Sequence, residues 1–275
     1  MTEEGTVICT ARKKIRYRNG SPLCVGDFVD FCCLEDQIGI IVKVCPRKNE
    51  LTRPPVANVD QLALVLAREP YPDFLLLDKL IACAIFHQID VLLTVNKTDL
   101  RDEAFHEKIV KEYVPFFRVL FVSAEKKEGL NELKAALHGK TTCFSGQSAV
   151  GKSSILNALY PYLGLETGQL SAKTLRGKNT TRHSEIFPMG ENTFLMDTPG
   201  FSLFDFTEIP SENLHLYYPE FQAYLGKCRF DMCSHRTEPD CAVKQAVAEG
   251  KISSERYFRY TEFEKELKEK EKNRY

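Results

Sequence analysis

The sequence predicts a multidomain α/β protein: a small N-terminal β-barrel, a central domain on a parallel sheet with crossover helices, and a C-terminal helical segment around cysteine and histidine. Three observations predict it. The 275 residues exceed what one small domain needs, and 43% of them are apolar, enough for a sizeable core. Up to about residue 66 the chain reads as short Val, Ile, Phe and Cys runs broken by turn signals, and from 67 it alternates strand and helix. From about 208 strand patterns fade into aromatic and polar helical segments. The domain boundaries expected are therefore 1–66, 67–207 and 208–275.

The first region carries GTVICTA, VGDFVDFCC and QIGIIVKVCP, and Asn19-Gly20 is a hairpin signal between two of these runs. Strands so closely spaced suit a barrel. In the second region DQLALVLA is an apolar strand, and Phe74, Leu77, Ile81 and Ile85 fall at helical spacing. Strands DVLLTVNK, FRVLFVSA, KTTCFSG and ENTFLMDTPG follow, with helices near 101–113 and after Gly151. The chain closes on a helix whose mixed-sign charges read as a solvated face, with a binding tail as the minority reading.

A formal net charge of −1 gives no global sign of a nucleic-acid partner. The first ten residues carry two glutamates and no apolar stretch, and no run reaches the roughly 20 apolar residues of a membrane helix, so a cytoplasmic protein without a membrane partner is expected. Of ten cysteines, seven (Cys9, Cys24, Cys32, Cys33, Cys45, Cys83, Cys143) sit among apolar residues and read as small buried hydrophobes.

Gly146, Gln147, Ser148, Ala149, Val150, Gly151, Lys152 and Ser153 complete the pattern G-x-x-x-x-G-K-[ST] between an apolar strand and an amphipathic helix. Such a loop wraps phosphates with backbone N–H groups at a helix N-terminus. Lys152 is placed for the β- and γ-phosphates and the Ser153 hydroxyl for Mg²⁺. Asp197-Thr198-Pro199-Gly200 ends a buried strand, so Asp197 can hold Mg²⁺ and the Gly200 N–H can meet a γ-phosphate. In the polar stretch between, one of Thr180 or Thr181 is placed to complete the Mg²⁺ shell.

Asn96, Lys97, Thr98 and Asp99 follow another strand. The asparagine amide suits a purine, the lysine stem can lie along the ring, and the Asp99 carboxylate accepts the two donors that guanine has and adenine lacks. Asp99 therefore disfavours an ATPase. Ser123-Ala124 adds a backbone N–H for the 6-oxo group. These base-reading groups precede the phosphate loop, the reverse of the ordinary order, as in a sheet cut and rejoined at new ends. The segment after Gly200 then leads straight into the C-terminal region, a route for nucleotide state to reach it.

Cys228, Cys233, His235 and Cys241 have the spacing C-x4-C-x-H-x5-C, a donor set for a closed tetrahedral Zn²⁺ site or, alternatively, a group of buried thiols. Arg12, Lys13, Lys14, Arg16 and Arg18 surround Tyr17, and Arg47, Lys48 and Arg53 form a second basic group. With nine Lys/Arg and eight Asp/Glu in residues 1–60, a solvated face and an RNA surface are equally open.

Taken in order, RPPVANVDQ, NKTD, GQSAVGKSS, RGKNTTRH, DTPGF and the cysteine cluster resemble the circularly permuted, small-ribosomal-subunit-dependent GTPase A family (RsgA/YjeQ type) over nearly the whole chain. The resemblance implies an OB-fold, a permuted GTPase domain in which Ser154 also belongs to the phosphate loop, and a zinc-binding helical domain. It also implies a slow GTPase that binds the small subunit and its rRNA, is stimulated by that subunit and assists its late maturation; a monomer is expected. One position departs: Asn179 stands where similar proteins usually carry a histidine before the paired threonines, so any hydrolytic role is absent or passes to His183. Phe201 stands where Ras-like GTPases orient water with a glutamine, which predicts slow unaided hydrolysis completed by a partner. The rival readings are a GTP-dependent switch for a non-ribosomal protein and an RNA-binding module that nucleotide only regulates.

Overall fold

In the computed structural model the described residues are 5–11, 17–18, 21–34, 38–52, 55–163, 185–197, 206 and 208–273, of which 17, 18, 21 and 197 are described by backbone alone. The N-terminal strands are β1 (Ile8–Ala11), β2 (Tyr17–Arg18), β3 (Ser21–Pro22), β4 (Val29–Cys33), β5 (Ile38–Val44), β6 (Glu50–Leu51) and β7 (Val56–Ala57). They form a three-stranded sheet β1-β5-β4 and the two short ladders β2-β3 and β6-β7; among the described residues no ring of strands closes. Strand β1 runs parallel to β5, and β4 runs antiparallel to it with an irregularity between Asp30 and Phe31.

The central domain is a six-stranded sheet in the order β10-β9-β8-β11-β13-β12. Its strands are β8 (Gln61–Ala67), β9 (Asp90–Asn96), β10 (Arg118–Phe121), β11 (Thr141–Gly146), β12 (Glu185–Pro188) and β13 (Phe194–Asp197). The first five strands in space run parallel, as crossover helices require, and the edge strand β12 is antiparallel to β13. Strand β8 belongs wholly to this sheet, so the central domain begins before the boundary at 66 read from sequence texture. Every residue of β8 is buried, because helices cover both faces.

Helix α1 (Phe74–Phe86) starts where the Asp73 carboxylate accepts the Leu76 N–H, and α2 (Glu103–Glu112) starts likewise at Asp102. They lie on one face; α3 (Leu130–Leu137) and α4 (Lys152–Leu159) lie on the other, with Leu133, Leu137, Ile155 and Leu156 against Val65, Leu92 and Phe144. The core on the α1 and α2 face continues without a break into the C-terminal segment. There two 3₁₀ stretches, Ser211–Tyr217 and Pro219–Tyr224, precede α5 (Ala242–Ala248) and α6 (Ser254–Lys272). No helix among the described residues is long and apolar enough to cross a membrane.

Helix α6 is solvated toward its end, as its charge pattern suggested, but its first turns are not. Arg256 is 2% exposed and pairs with Glu220 and Asp78, while Arg259 pairs with Asp78 and Glu112. Tyr113 donates to Asp78 at 2.9 Å, and its ring lies 4.7 Å from the Arg256 guanidinium. Burial opposes the charge on Arg256, but Asp78 and Glu220 more than offset it and hold the guanidinium protonated. The charges are solvated by one another, and they bind α6 to α1 and to the end of α2.

The cysteines divide differently from the sequence reading. Cys83 and Cys143 are buried, Cys9, Cys24 and Cys45 are partly so, and Cys32 and Cys33 are exposed. No described element covers the outer face of β4 and β5. Gly26, at φ 93°, sits at the joint with the central sheet: a Cβ there would lie 2.1 Å from the Ala57 carbonyl oxygen and 2.5 Å from the Met196 methyl.

Candidate functional site

The phosphate loop joins β11 to α4 beside the end of β8, where the sheet order reverses direction and α/β proteins bind ligands. Ala149 (φ 65°) and Gly151 (φ 93°) take left-handed backbone conformations, which turn successive N–H groups inward. The Lys152 ammonium donates to the Gly146 carbonyl at 2.5 Å and the Gln147 carbonyl at 2.8 Å, so it already spans the loop mouth. Ser153 lies buried in the first turn of α4, with Ser154 beside it. Strand β13 places the Asp197 backbone in register with Phe144 of β11, next to that loop.

The base-reading loop meets the phosphate loop directly. The Asn96 side chain is buried and uses both ends of its amide on protein: Nδ2 donates to the Val150 carbonyl at 2.9 Å and Oδ1 accepts the Ala124 N–H at 3.2 Å. Lys97 donates to the Ala149 carbonyl and to the Glu69 carbonyl, each at 2.8 Å. A Cβ on Gly151 would come within 2.3 Å of the Asn96 amide nitrogen, so that glycine allows the approach. Asp99 accepts the Ser123 hydroxyl, whose oxygen in turn accepts the Lys126 N–H. Asn96, Lys97 and Ala124 are thus one hydrogen-bonded group with residues 149 and 150, and the Asp99–Ser123 pair adjoins it along the chain; Thr98 is tied in through its N–H to the Val122 carbonyl. The strut role of Asn96 was not legible in the sequence, because its partners lie 28 and 54 residues away.

Thr180, Thr181, Gly200, Asn179, His183 and Phe201 lie outside the described residues, as do Arg12, Lys13, Lys14, Arg16 and Arg53. Of the basic group at 47–53, Arg47 forms a two-pronged pair with Asp27 (2.7 and 2.8 Å), and Lys48 pairs with Asp60 at 2.9 Å. Those two charges serve the joint between the N-terminal strands and the central sheet.

The second site is the cysteine cluster. The ligand atoms of Cys228, Cys233, His235 and Cys241 all lie within 4.8 Å of one another. The Sγ atoms of Cys228 and Cys241 are 3.8 Å apart, and His235 Nδ1 is 3.5 Å from the first and 3.4 Å from the second. Burial holds His235 down at about 4, leaving the imidazole neutral as ligation needs. Burial also pushes Cys233 up to about 12, so its thiolate forms only against a cation. The donors fit a metal ion. The His215 ring packs 5.2 Å from His235, a neighbour that linear spacing did not reveal.

Fold and site together define a circularly permuted P-loop GTPase: one sheet, a phosphate loop at its switch point, and a base-reading loop that comes earlier in the chain. The family model for the RsgA GTPase matches residues 44–207. The chain belongs to the RsgA GTPase family. Proteins named small ribosomal subunit biogenesis GTPase RsgA are 44% identical in Agathobacter rectalis, covering 96% of this chain and 88% of that relative. In Caldanaerobacter subterraneus the identity is 42%, over 100% and 93%. The solved structure of YjeQ from Thermotoga maritima is similar at a TM-score of 0.81, 35% identity and coverage of 95% and 90%. That of YloQ, described as a circularly permuted GTPase, has a TM-score of 0.77 at 33% identity, with 96% and 87% covered.

Proposed function

We propose that this chain hydrolyses GTP in the biogenesis of the small ribosomal subunit, binding that subunit and assisting its late maturation in the cytoplasm. The observation that carries the reading is the direct bonding of Asn96 and Lys97 to residues 149–150, which joins a guanine-reading loop to a phosphate loop in permuted order. Family membership and the names of the relatives support the ribosomal part.

In this reading Lys152 and the amides of 146–153 hold the phosphates, and Asn96, Lys97 and Asp99 hold guanine. Ser153, Asp197 and one of Thr180 or Thr181 hold Mg²⁺, while Gly200 meets the γ-phosphate. Water attacks the γ-phosphorus and GDP leaves, with positioning and charge neutralisation supplying most of the acceleration. The N-terminal strands are an OB-type module, and the basic stretch around Tyr17 faces rRNA; the protein acts as a monomer. The ion held by Cys228, Cys233, His235 and Cys241 is Zn²⁺. A tetrahedral zinc site would have edges of about 3.8 Å between thiolates and about 3.6 Å from thiolate to imidazole; the separations among Cys228, His235 and Cys241 are 3.8, 3.5 and 3.4 Å, with all four donors within 4.8 Å. Four protein donors leave no position for water, so its role is structural.

GTP turnover by the purified protein, with and without small ribosomal subunits, tests the reading. Slow turnover that the subunit accelerates many-fold is expected, and Lys152→Ala should lower it by about 10²-fold or more. Equal rates with and without subunits would sink the ribosomal coupling.

A further inference from the structure

Behind the base-reading loop, between the ends of β8 and β9 and the start of α2, lies a cavity of about 270 Å³. Asn96, Lys97 and Thr98 form one of its walls, yet Asp99, Ser123 and Ala124 do not line it. The cavity is therefore separate from the place where guanine is read, and the base-reading loop divides the two. Its walls are fixed before any ligand arrives. The Arg68 guanidinium, at the end of β8, donates to the Asp102 carboxylate at 2.5 Å, and the same carboxylate accepts the Phe105 N–H at 2.8 Å and so caps α2. Lys97, at φ 63°, is held by the Glu69 and Ala149 carbonyls.

The lining points to the chemistry of a ligand. Val95 and Phe105 are buried at the floor, and Phe121 is half-buried there. The His106 ring lies 4.5 Å from the Phe121 ring at 35°, so two rings already lean together on one side. A flat aromatic molecule continues that arrangement. A cavity of roughly 150 Å³ holds benzene, so this one has room for two fused rings. The charges around it balance: Arg68, Lys97 and Arg101 stand against Asp102, Glu103 and Glu107. Neither sign dominates, which favours an uncharged molecule over an anion or a cation. The Thr98 hydroxyl and the two glutamates can accept a ring N–H.

We propose that this cavity takes an uncharged bicyclic heteroaromatic molecule, of the indole or the purine-base kind, and that its occupancy tightens guanine binding. The second part rests on the proposed reading of residues 96–99 as the guanine loop. A molecule packed against the back of Asn96, Lys97 and Thr98 restricts that loop, so less ordering is left for guanine to impose. Coupling of this kind acts equally in both directions.

The test is a titration of GDP-saturated protein with indole, with adenine and with indole-3-acetate while backbone amide resonances are followed. GDP already fills the guanine pocket, so these molecules have only the cavity to enter. Saturable binding of indole or adenine is expected, with the largest shifts at residues 98–107 and 121 and weaker binding of indole-3-acetate. The tighter binder of the first two tells an indole-like source from a purine one. His106 is exposed and outside the nucleotide machinery. His106→Ala removes one wall ring and should weaken binding about fivefold or more, with GTP turnover unchanged. Saturating indole or adenine should in turn tighten GDP about fivefold or more and slow amide exchange at 96–99. Tighter binding of indole-3-acetate than of indole would overturn the uncharged assignment. No saturable binding, or unchanged affinity in His106→Ala, would overturn the site. So would binding that GDP abolishes, because it puts the molecule in the guanine pocket. Unchanged GDP affinity would overturn the coupling alone. If GDP itself fails to bind, the guanine reading falls, and the same titration of the empty protein still decides the cavity.

Discussion

The segments flanking the central sheet are attached to it in opposite ways. The C-terminal segment shares one apolar core with α1 and α2, and its last helix sinks two arginines into a ring of three carboxylates and a tyrosine from the central domain and the 3₁₀ stretch. The three-stranded N-terminal sheet instead leaves Ile8, Ile38 and Val42 exposed, with Phe28 and Leu34 exposed at the ends of β4, and reaches the central sheet mainly through the joint at 44–60. The difference teaches where one rigid body ends. By its packing the C-terminal segment is part of the GTPase domain, whereas the N-terminal sheet is an appendage with a stiff root. A signal from nucleotide to the C-terminal segment therefore needs no hinge between helices.

The largest way to break this comparison is Asp78→Ala, which leaves Arg256 and Arg259 buried without their shared partner. It should cost about 3–5 kcal/mol in chemical denaturation of the full chain, and a cost below about 1 kcal/mol would refute the single-body reading. Next comes the root of the appendage. Gly26→Ala forces a side chain at positive φ onto the Ala57 carbonyl and should cost about 1–3 kcal/mol. An unchanged midpoint would mean that the joint yields.

Acid sharpens the contrast further. Burial raises the Glu238 carboxyl, but hydrogen bonds from Ser234 and backbone N–H groups outweigh this and bring it to about 2. Its stabilising effect is complete above its unfolded value near 4.5 and is lost as pH falls toward 2. Hydrogen exchange should show the loop 234–238 loosening in that window while the shared core stays closed, and Glu238→Gln should flatten the response. The smallest effect is expected at Ile8→Ser or Ile38→Ser, within about 0.5 kcal/mol because these side chains are already in water. A large loss would show that something covers that sheet in solution.

What could be read in advance followed the same division. Strands β8 and β9, helix α1, the phosphate loop, NKTD and the cysteine cluster announce themselves through local periodicity or spacing. The buried charges of α6 do not, because Arg256 and Arg259 look solvated until Asp78, Glu112 and Glu220 are brought from elsewhere in the chain. Strand β12 was invisible in a polar neighbourhood and exists by pairing with β13. Cys32 and Cys33 are exposed although they sit in an apolar strand, and no property of those residues encodes it.

The Asn96 strut has a further consequence in the time order of synthesis. Strands β10, β9 and β8 lie side by side in that order, and all three emerge from the ribosome before β11 does. The nascent chain can thus assemble a half-sheet with its base-reading loop formed and one side of β8 open as a template. The phosphate loop then arrives on β11 and is captured by an amide already in place. The base-reading and phosphate loops are together only from that moment, and the last helix, with its two arginines, closes the molecule behind them.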